Sequence, residues 1–123
     1  MKKLILLSLL TLQFSLLIAQ DTGEQVRLSR LFNFGWKFQA GDLKDAYSLN
    51  YDDSNWRVLD LPHDFQIEQP WNQGAGGARG FKAMGTGWYR KAFKPEPEWK
   101  GKRVLLDFEG IMLVGDVWVN GQK

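Results

Sequence analysis

Apolar and polar side chains alternate along several short stretches of the chain. Over residues 31–38, Phe32, Phe34, Trp36 and Phe38 fall on one side, and Asn33, Gly35 and Lys37 on the other. That period of two predicts a half-buried strand, broken by Gly41 and Asp42. Residues 56–61 form a second short strand, stopped by Pro62, and residues 87–93 a third, with Pro95 and Pro97 marking its exit. Over 102–109, Val104, Leu106 and Phe108 point inward and Arg103, Asp107 and Glu109 outward; Leu105 interrupts the polar side, as a second covering layer would require. After Gly110 a further strand is expected over 112–119. Asn120-Gly121 follows, and both residues tolerate the positive φ of a type I′ hairpin turn. Only Gln122 and Lys123 come after it, so the expectation is a hairpin cut before its second strand, with an open edge.

The intervening segments carry turn signals. Residues 43–51 have room for one helical turn. Asp52-Asp53-Ser54-Asn55 reads as a turn or cap, because these side chains bond readily to nearby backbone N–H groups. Residues 63–86, with Pro70 and five glycines, have no sustained periodicity, and a loop that long in a compact domain is usually functional or mobile. About five short strands and no convincing helix predict an all-β fold, a jelly roll or β-sandwich, incomplete at its C-terminal end.

The first residues follow a different pattern. Lys2 and Lys3 precede a nearly unbroken apolar run over 4–18, and Ala19 offers a small residue before Gln20. This predicts a signal peptide over 1–19 and export to the periplasm or the extracellular space. A membrane span needs roughly 20 apolar residues, and this run is shorter. No cysteine follows it to carry a lipid, so no membrane anchor is expected.

Setting that segment aside changes the charge balance. The chain has 16 Lys+Arg and 14 Asp+Glu; without Lys2 and Lys3 the two signs are equal. The basic isoelectric point near 8.9 therefore gives no reason to expect a nucleic-acid partner. With no cysteine there is neither a disulfide nor a thiolate metal site. All six tryptophans lie beyond residue 20. Indole faces suit both the core of a β-sandwich and the apolar C–H faces of sugar rings.

Few residues invite a catalytic reading. Glycoside hydrolysis needs two carboxylates, about 5–5.5 Å apart for retention and about 6.5–9.5 Å for inversion. Asp107 and Glu109 share one strand face, but nothing nearby supplies the apolar pocket that raises one carboxyl pKa, so a solvated outer face is the better reading. His63 is the only histidine, which disfavours a zinc site. It stands with Asp64 behind Pro62, a polar pair at the mouth of the long loop. The glycine-rich residues 74–80 carry Arg79 where a G-x-G-x-x-G motif needs glycine; they read as a flexible loop.

In order and spacing, six segments together resemble the N-terminal sugar-binding domain of family 2 glycoside hydrolases. They are Phe34-Gly35-Trp36-Lys37-Phe38, Asp52-Asp53-Ser54-Asn55-Trp56-Arg57 and Leu61-Pro62-His63-Asp64-Phe65, then Gly85-Thr86-Gly87-Trp88-Tyr89-Arg90-Lys91, Phe108-Glu109-Gly110 and Val117-Trp118-Val119-Asn120-Gly121. The resemblance implies a galactose-binding-like jelly roll, followed in the family by an immunoglobulin-like sandwich and a (β/α)8 barrel. It implies hydrolysis of terminal β-galactosides with retention, the two catalytic glutamates lying in the barrel, so that residues 20–123 alone would be inactive. β-Glucuronidase and β-mannosidase activities occur in the same family, and a free-standing secreted carbohydrate-binding module is the non-enzymatic alternative. His63, Asp64 and Trp88 are the residues expected to border the substrate. Some β-galactosidases of the family place an asparagine just before the strand matching Trp88-Tyr89, where this chain has Met84-Gly85-Thr86. The expected partners are a β-galactoside and the downstream domains of the same polypeptide. No cofactor is expected in this segment; a divalent cation belongs, if anywhere, to the full-length enzyme.

Overall fold

The computed structural model describes residues 27–123; the expected signal peptide, residues 1–19, lies outside them. The chain divides into two units, Met1–Leu31 and Phe32–Lys123. Of the first, only residues 27–31 are described, and they are irregular.

The second unit is built on an antiparallel sheet of β1 (Trp36–Ala40), β2 (Arg57–Leu59) and β3 (Gly87–Arg90), in the order β2-β1-β3. No α-helix occurs among the described residues, where three single-turn 3-10 segments accompany the strands. The architecture is all-β. β2 and β3 fall inside the stretches expected as strands but are shorter; β1 overlaps the expected 31–38 at residues 36–38 and runs on to Ala40. At the start of β1 the cause is visible: Gly35 sits at φ 69° and donates its N–H to Asp60 Oδ1 at 2.8 Å, so a turn replaces the expected strand over 31–35. Phe34 is left exposed by that turn.

The register sorts the side chains onto two faces. Phe38 pairs with Tyr89 and Arg57, and Lys37 with Arg90 and Val58. Because successive side chains alternate across a sheet, Phe38, Tyr89 and Arg57 share one face, and Lys37, Arg90, Val58 and Trp88 share the other. Phe38 is the buried centre of the first face; Trp56 and Ala46 are buried on the second.

On the second face two cations stand directly opposite each other, an arrangement that is destabilising unless compensated. Asp53 compensates it. Its Oδ1 accepts from Lys37 Nζ at 2.6 Å and its Oδ2 from Arg90 Nε at 3.0 Å. Arg90 also donates to the carbonyls of Ala46 and Ser48, fixing the turn-rich residues 44–51, and its guanidinium faces the rings of Tyr51 and Trp56. The turn reading of residues 52–55 holds for Asp52, which accepts from Ser54 N at 3.0 Å. Asp53 has the larger role of joining two strands.

The strands expected over 102–109 and 112–119 are not formed among the described residues. Alternation supplies the side-chain pattern of a strand, but the ladder needs a hydrogen-bonded neighbour, and only Val119 finds one, in Gln122. The apolar side chains of that region stand open, Val114 at 86% exposure. The Asn120-Gly121 turn does form: φ is 52° and 78°, and Val119 and Gln122 exchange backbone hydrogen bonds of 2.8 and 3.1 Å.

Candidate functional site

The segment after β2 turns at Pro62, across a cis Leu61-Pro62 bond, and delivers His63 onto the Phe38 face. The imidazole lies edge-on to the Phe38 ring, with centroids 4.8 Å apart. Its Nδ1 is 2.8 Å from Tyr89 Oη, and its Nε2 is 3.0 Å from both Glu68 Oε1 and Arg57 Nη2. A guanidinium only donates and a carboxylate only accepts. At Nε2 the two partners therefore make opposite demands, which a single tautomer meets one at a time, while Tyr89 Oη lies within reach of both Nδ1 and the His63 carbonyl, at 3.4 Å from the latter. Arg57 clamps Glu68 through both carboxylate oxygens, at 2.9 and 2.7 Å.

This network sets two titrations. Burial raises the Tyr89 phenol above its ordinary value of 10.0, helped by the nearby charges of Asp64 and Glu68. The Arg57 hydrogen bond, then that of His63, lowers the Glu68 carboxyl. Tyr89 is thus a neutral phenol and Glu68 an anion at neutral pH. Asp64 turns outward; its Oδ1 accepts from Gln66 N at 2.9 Å and holds the start of the long loop.

At the end of the sheet where β1 leaves and β3 enters lies an open cleft of about 310 Å³. Ala40, Gly41, Phe65, Gln69 and the run Met84-Gly85-Thr86 line it. Gly41 N donates to Thr86 O at 2.8 Å and closes its floor. Phe65 packs beside Phe38, 5.8 Å between centroids, and gives the cleft an aromatic wall. Gly87 is required by this packing: a Cβ there would sit 3.0 Å from both Phe38 and Phe65. The cleft can receive a small polar molecule with one apolar face, offering a ring, an amide and a hydroxyl.

The three residues expected to border a substrate are therefore distributed. His63 and Asp64 stand together at the entrance to the long loop, beside Phe65, and neither lines the cleft. Trp88 leaves the opposite face of β3. Its indole stacks on Trp118 at 5.3 Å, and Trp118 in turn on Tyr47 at 6.0 Å. The Trp88 Nε1–H is enclosed without an acceptor among the described residues. Phe65, Gln69 and Thr86 line the cleft without having been singled out; the position of Met84-Gly85-Thr86 ahead of β3 was the available signal.

Asp107 and Glu109 are exposed, on the unpaired stretch. No cluster of three or more His, Asp or Glu side chains able to hold a metal occurs among the described residues.

The chain has relatives in sequence and in structure. Over 94 residues, 73% of the chain, it is 40% identical to a β-galactosidase of Bacteroides ovatus. The chain is homologous to family 2 glycosidases. It is 36% identical over 104 residues, 81% of the chain, to a putative β-glucuronidase of Formosa agariphila, and 36% identical over 91 residues, 74% of the chain, to a β-galactosidase of Thermoanaerobacter pseudethanolicus. A solved β-glycosidase from Bacteroides vulgatus superposes on 56% of the chain with a TM-score of 0.51 and 45% identity, covering 10% of that structure. The chain spans about a tenth of the length of the curated relatives it matches, between 10 and 12%. No family model matches the chain.

Proposed function

We propose that this chain is the N-terminal sugar-binding domain of an exported glycoside hydrolase that cleaves terminal β-galactosides with retention. The observation that carries the reading is the 40% identity to a β-galactosidase through the segment that holds the cleft and the His63 corner. In this reading the catalytic carboxylates belong to another domain of the polypeptide, since Asp107 and Glu109 have no enclosing pocket. The domain contributes one edge of the sugar site, with Phe65 facing the apolar side of the ring and Gln69 and Thr86 its hydroxyls. His63, Asp64 and Tyr89 hold that edge in position. The pattern of residues 1–19 supports export.

A second reading, β-glucuronidase activity, is favoured by the comparably similar relatives of that name. Hydrolysis of aryl glycosides by the full-length polypeptide separates the two. Turnover of the β-galactoside in preference to the β-glucuronide is expected, and the reverse preference selects the second reading. Absence of turnover on every β-glycoside overturns both. Residues 20–123 alone should be inactive.

A further inference from the structure

The turn over residues 65–69 carries two cleft residues, Phe65 at its start and Gln69 at its end. Its own backbone closes it: Glu68 N donates to Phe65 O at 3.2 Å and Gln69 N to Gln66 O at 3.1 Å. Besides the packing of Phe65 on Phe38, its tie to the sheet is the Glu68 carboxylate. That group meets Arg57 of β2 and the His63 imidazole, which in turn rests on Phe38 of β1 and Tyr89 of β3. How firmly Glu68 is held therefore bears on where the cleft wall stands.

The hold is over-subscribed at one atom. Arg57 Nη2 carries two protons, yet three partners surround it: Glu68 Oε1 at 2.9 Å, Glu68 Oε2 at 2.7 Å and His63 Nε2 at 3.0 Å. A neutral imidazole settles this in either of two ways. With Nε2 bare, the ring takes one Arg57 proton and leaves Glu68 the other. Nδ1–H then donates to Tyr89 Oη, whose own proton turns to the His63 carbonyl. With Nε2 protonated instead, Glu68 receives the imidazole N–H and both Arg57 protons, and Tyr89 donates to Nδ1. The imidazolium has a single solution. Both of its nitrogens donate, Nε2 to Glu68 and Nδ1 to Tyr89, and Arg57 gives both protons to Glu68.

We propose that His63 is a proton-dependent positioning residue, which fastens the 65–69 turn, and with it the cleft wall, more firmly when its imidazole is charged. The groups around it favour that direction. β2 presents the Arg57 cation, β3 the neutral Tyr89 phenol and β1 only the Phe38 ring, while its own segment supplies the carboxylates of Glu68 and Asp64. One cation against two carboxylates leaves a negative charge for the imidazolium to balance. Glu68 stays ionised as the imidazole titrates, because the Arg57 hydrogen bond, then that of His63, lowers its carboxyl. The His63 side chain is 13% exposed, so water has little room to take over these contacts.

The inference rests on the glycosidase reading for its sugar site, and the test separates the two. Hydrogen exchange of the Glu68 and Gln69 amides in the full-length polypeptide, corrected for intrinsic rate, reads the hold without any turnover. Between about pH 8 and pH 5, where an imidazole ordinarily changes charge, protection should rise about threefold, the gain a partly exposed ion pair provides. His63→Gln keeps a hydrogen-bonding amide but takes up no proton; it should flatten the response and leave β1 protection unchanged. A flat or falling response in wild type, or an equal rise in His63→Gln, would overturn the proposal. If His63→Gln also loses β1 protection, Glu68→Gln decides: a flattened response upholds the junction, and a response like wild type overturns it. On an aryl β-galactoside, the ratio of KM in His63→Gln to that in wild type should be about threefold larger at the acid end. An unchanged ratio overturns the link to the cleft. A wild-type protection rise that His63→Gln flattens, with no turnover of any β-glycoside, upholds the junction while the hydrolase reading falls.

Discussion

Replacing Asp53 by Asn should loosen the sheet at a defined place. The side chain keeps its shape, but its charge is lost, and the new amide group turns a donor toward one of the two cations. Lys37 and Arg90 are then opposed across β1 and β3 with nothing between them to balance charge. A hydrogen bond to a charged group contributes about 1.5–3 kcal/mol in general. The Arg90 arm is only 21% exposed and deserves the lower part of that range, while the Lys37 arm, at 37%, is screened and adds about 0.5 kcal/mol. A total of about 2 kcal/mol corresponds to roughly a 30-fold fall in equilibrium constant. Hydrogen exchange of the β1 and β3 amides in the full-length polypeptide reads this directly, as a drop in protection confined to the sheet.

The pH dependence supplies a second check. The Lys37 hydrogen bond, then that of Arg90, holds the Asp53 carboxyl below its ordinary value of 3.8. A depressed carboxyl stabilises the fold above the unfolded value and loses that contribution as pH falls through the folded one. Wild-type protection, corrected for intrinsic exchange, should therefore decline below about pH 3.8, and the Asn variant should lack that component. A change of less than about threefold at neutral pH, with identical acid responses in the two proteins, would refute the bridging role.

Two further outcomes follow from the Phe38 face. Gly87→Ala places a methyl 3.0 Å from Phe38 and Phe65, and overpacking of this kind costs about 1–3 kcal/mol; the cleft wall should shift with it, so weaker sugar binding should accompany a lower melting temperature, and an unchanged melt contradicts the packing described. Tyr89, raised by burial, contributes stability that is complete below pH 10.0 and lost as pH rises toward its folded value. The difference in phenolate absorbance between wild type and Tyr89→Phe should accordingly show a transition above 10.0; a transition at or below that value contradicts the enclosed hydroxyl.

The three strands and the Asn120-Gly121 turn were legible in large part because each rests on local chemistry: alternation over 31–38, of which 36–38 is strand, Pro62 after 57–59, and positive φ at two tolerant residues. The unpaired course of 102–119 was not, because alternation describes a strand's side chains and says nothing of which neighbour supplies its hydrogen bonds. His63 and Trp88 were both read as substrate-bordering residues; the structure sets His63, from the loop after β2, against the Phe38 face and Trp88 on the other. His63 reaches its face through Tyr89, the residue directly after Trp88, and successive residues of a strand face opposite ways. Asp53 was read as a turn former because its partners, 16 and 37 residues away, carry no local signature. The glycine-rich residues 74–80, read as a flexible loop, fold into two consecutive 3-10 turns, the first capped by Asn72 through Gly74 N at 2.9 Å.

The central claim is that this domain serves a retaining β-galactosidase. Proton NMR of the full-length polypeptide acting on an aryl β-galactoside tests it most directly. The account predicts that β-galactose appears first and only later equilibrates with the α anomer. First appearance of α-galactose, or no release of galactose at all, would contradict it.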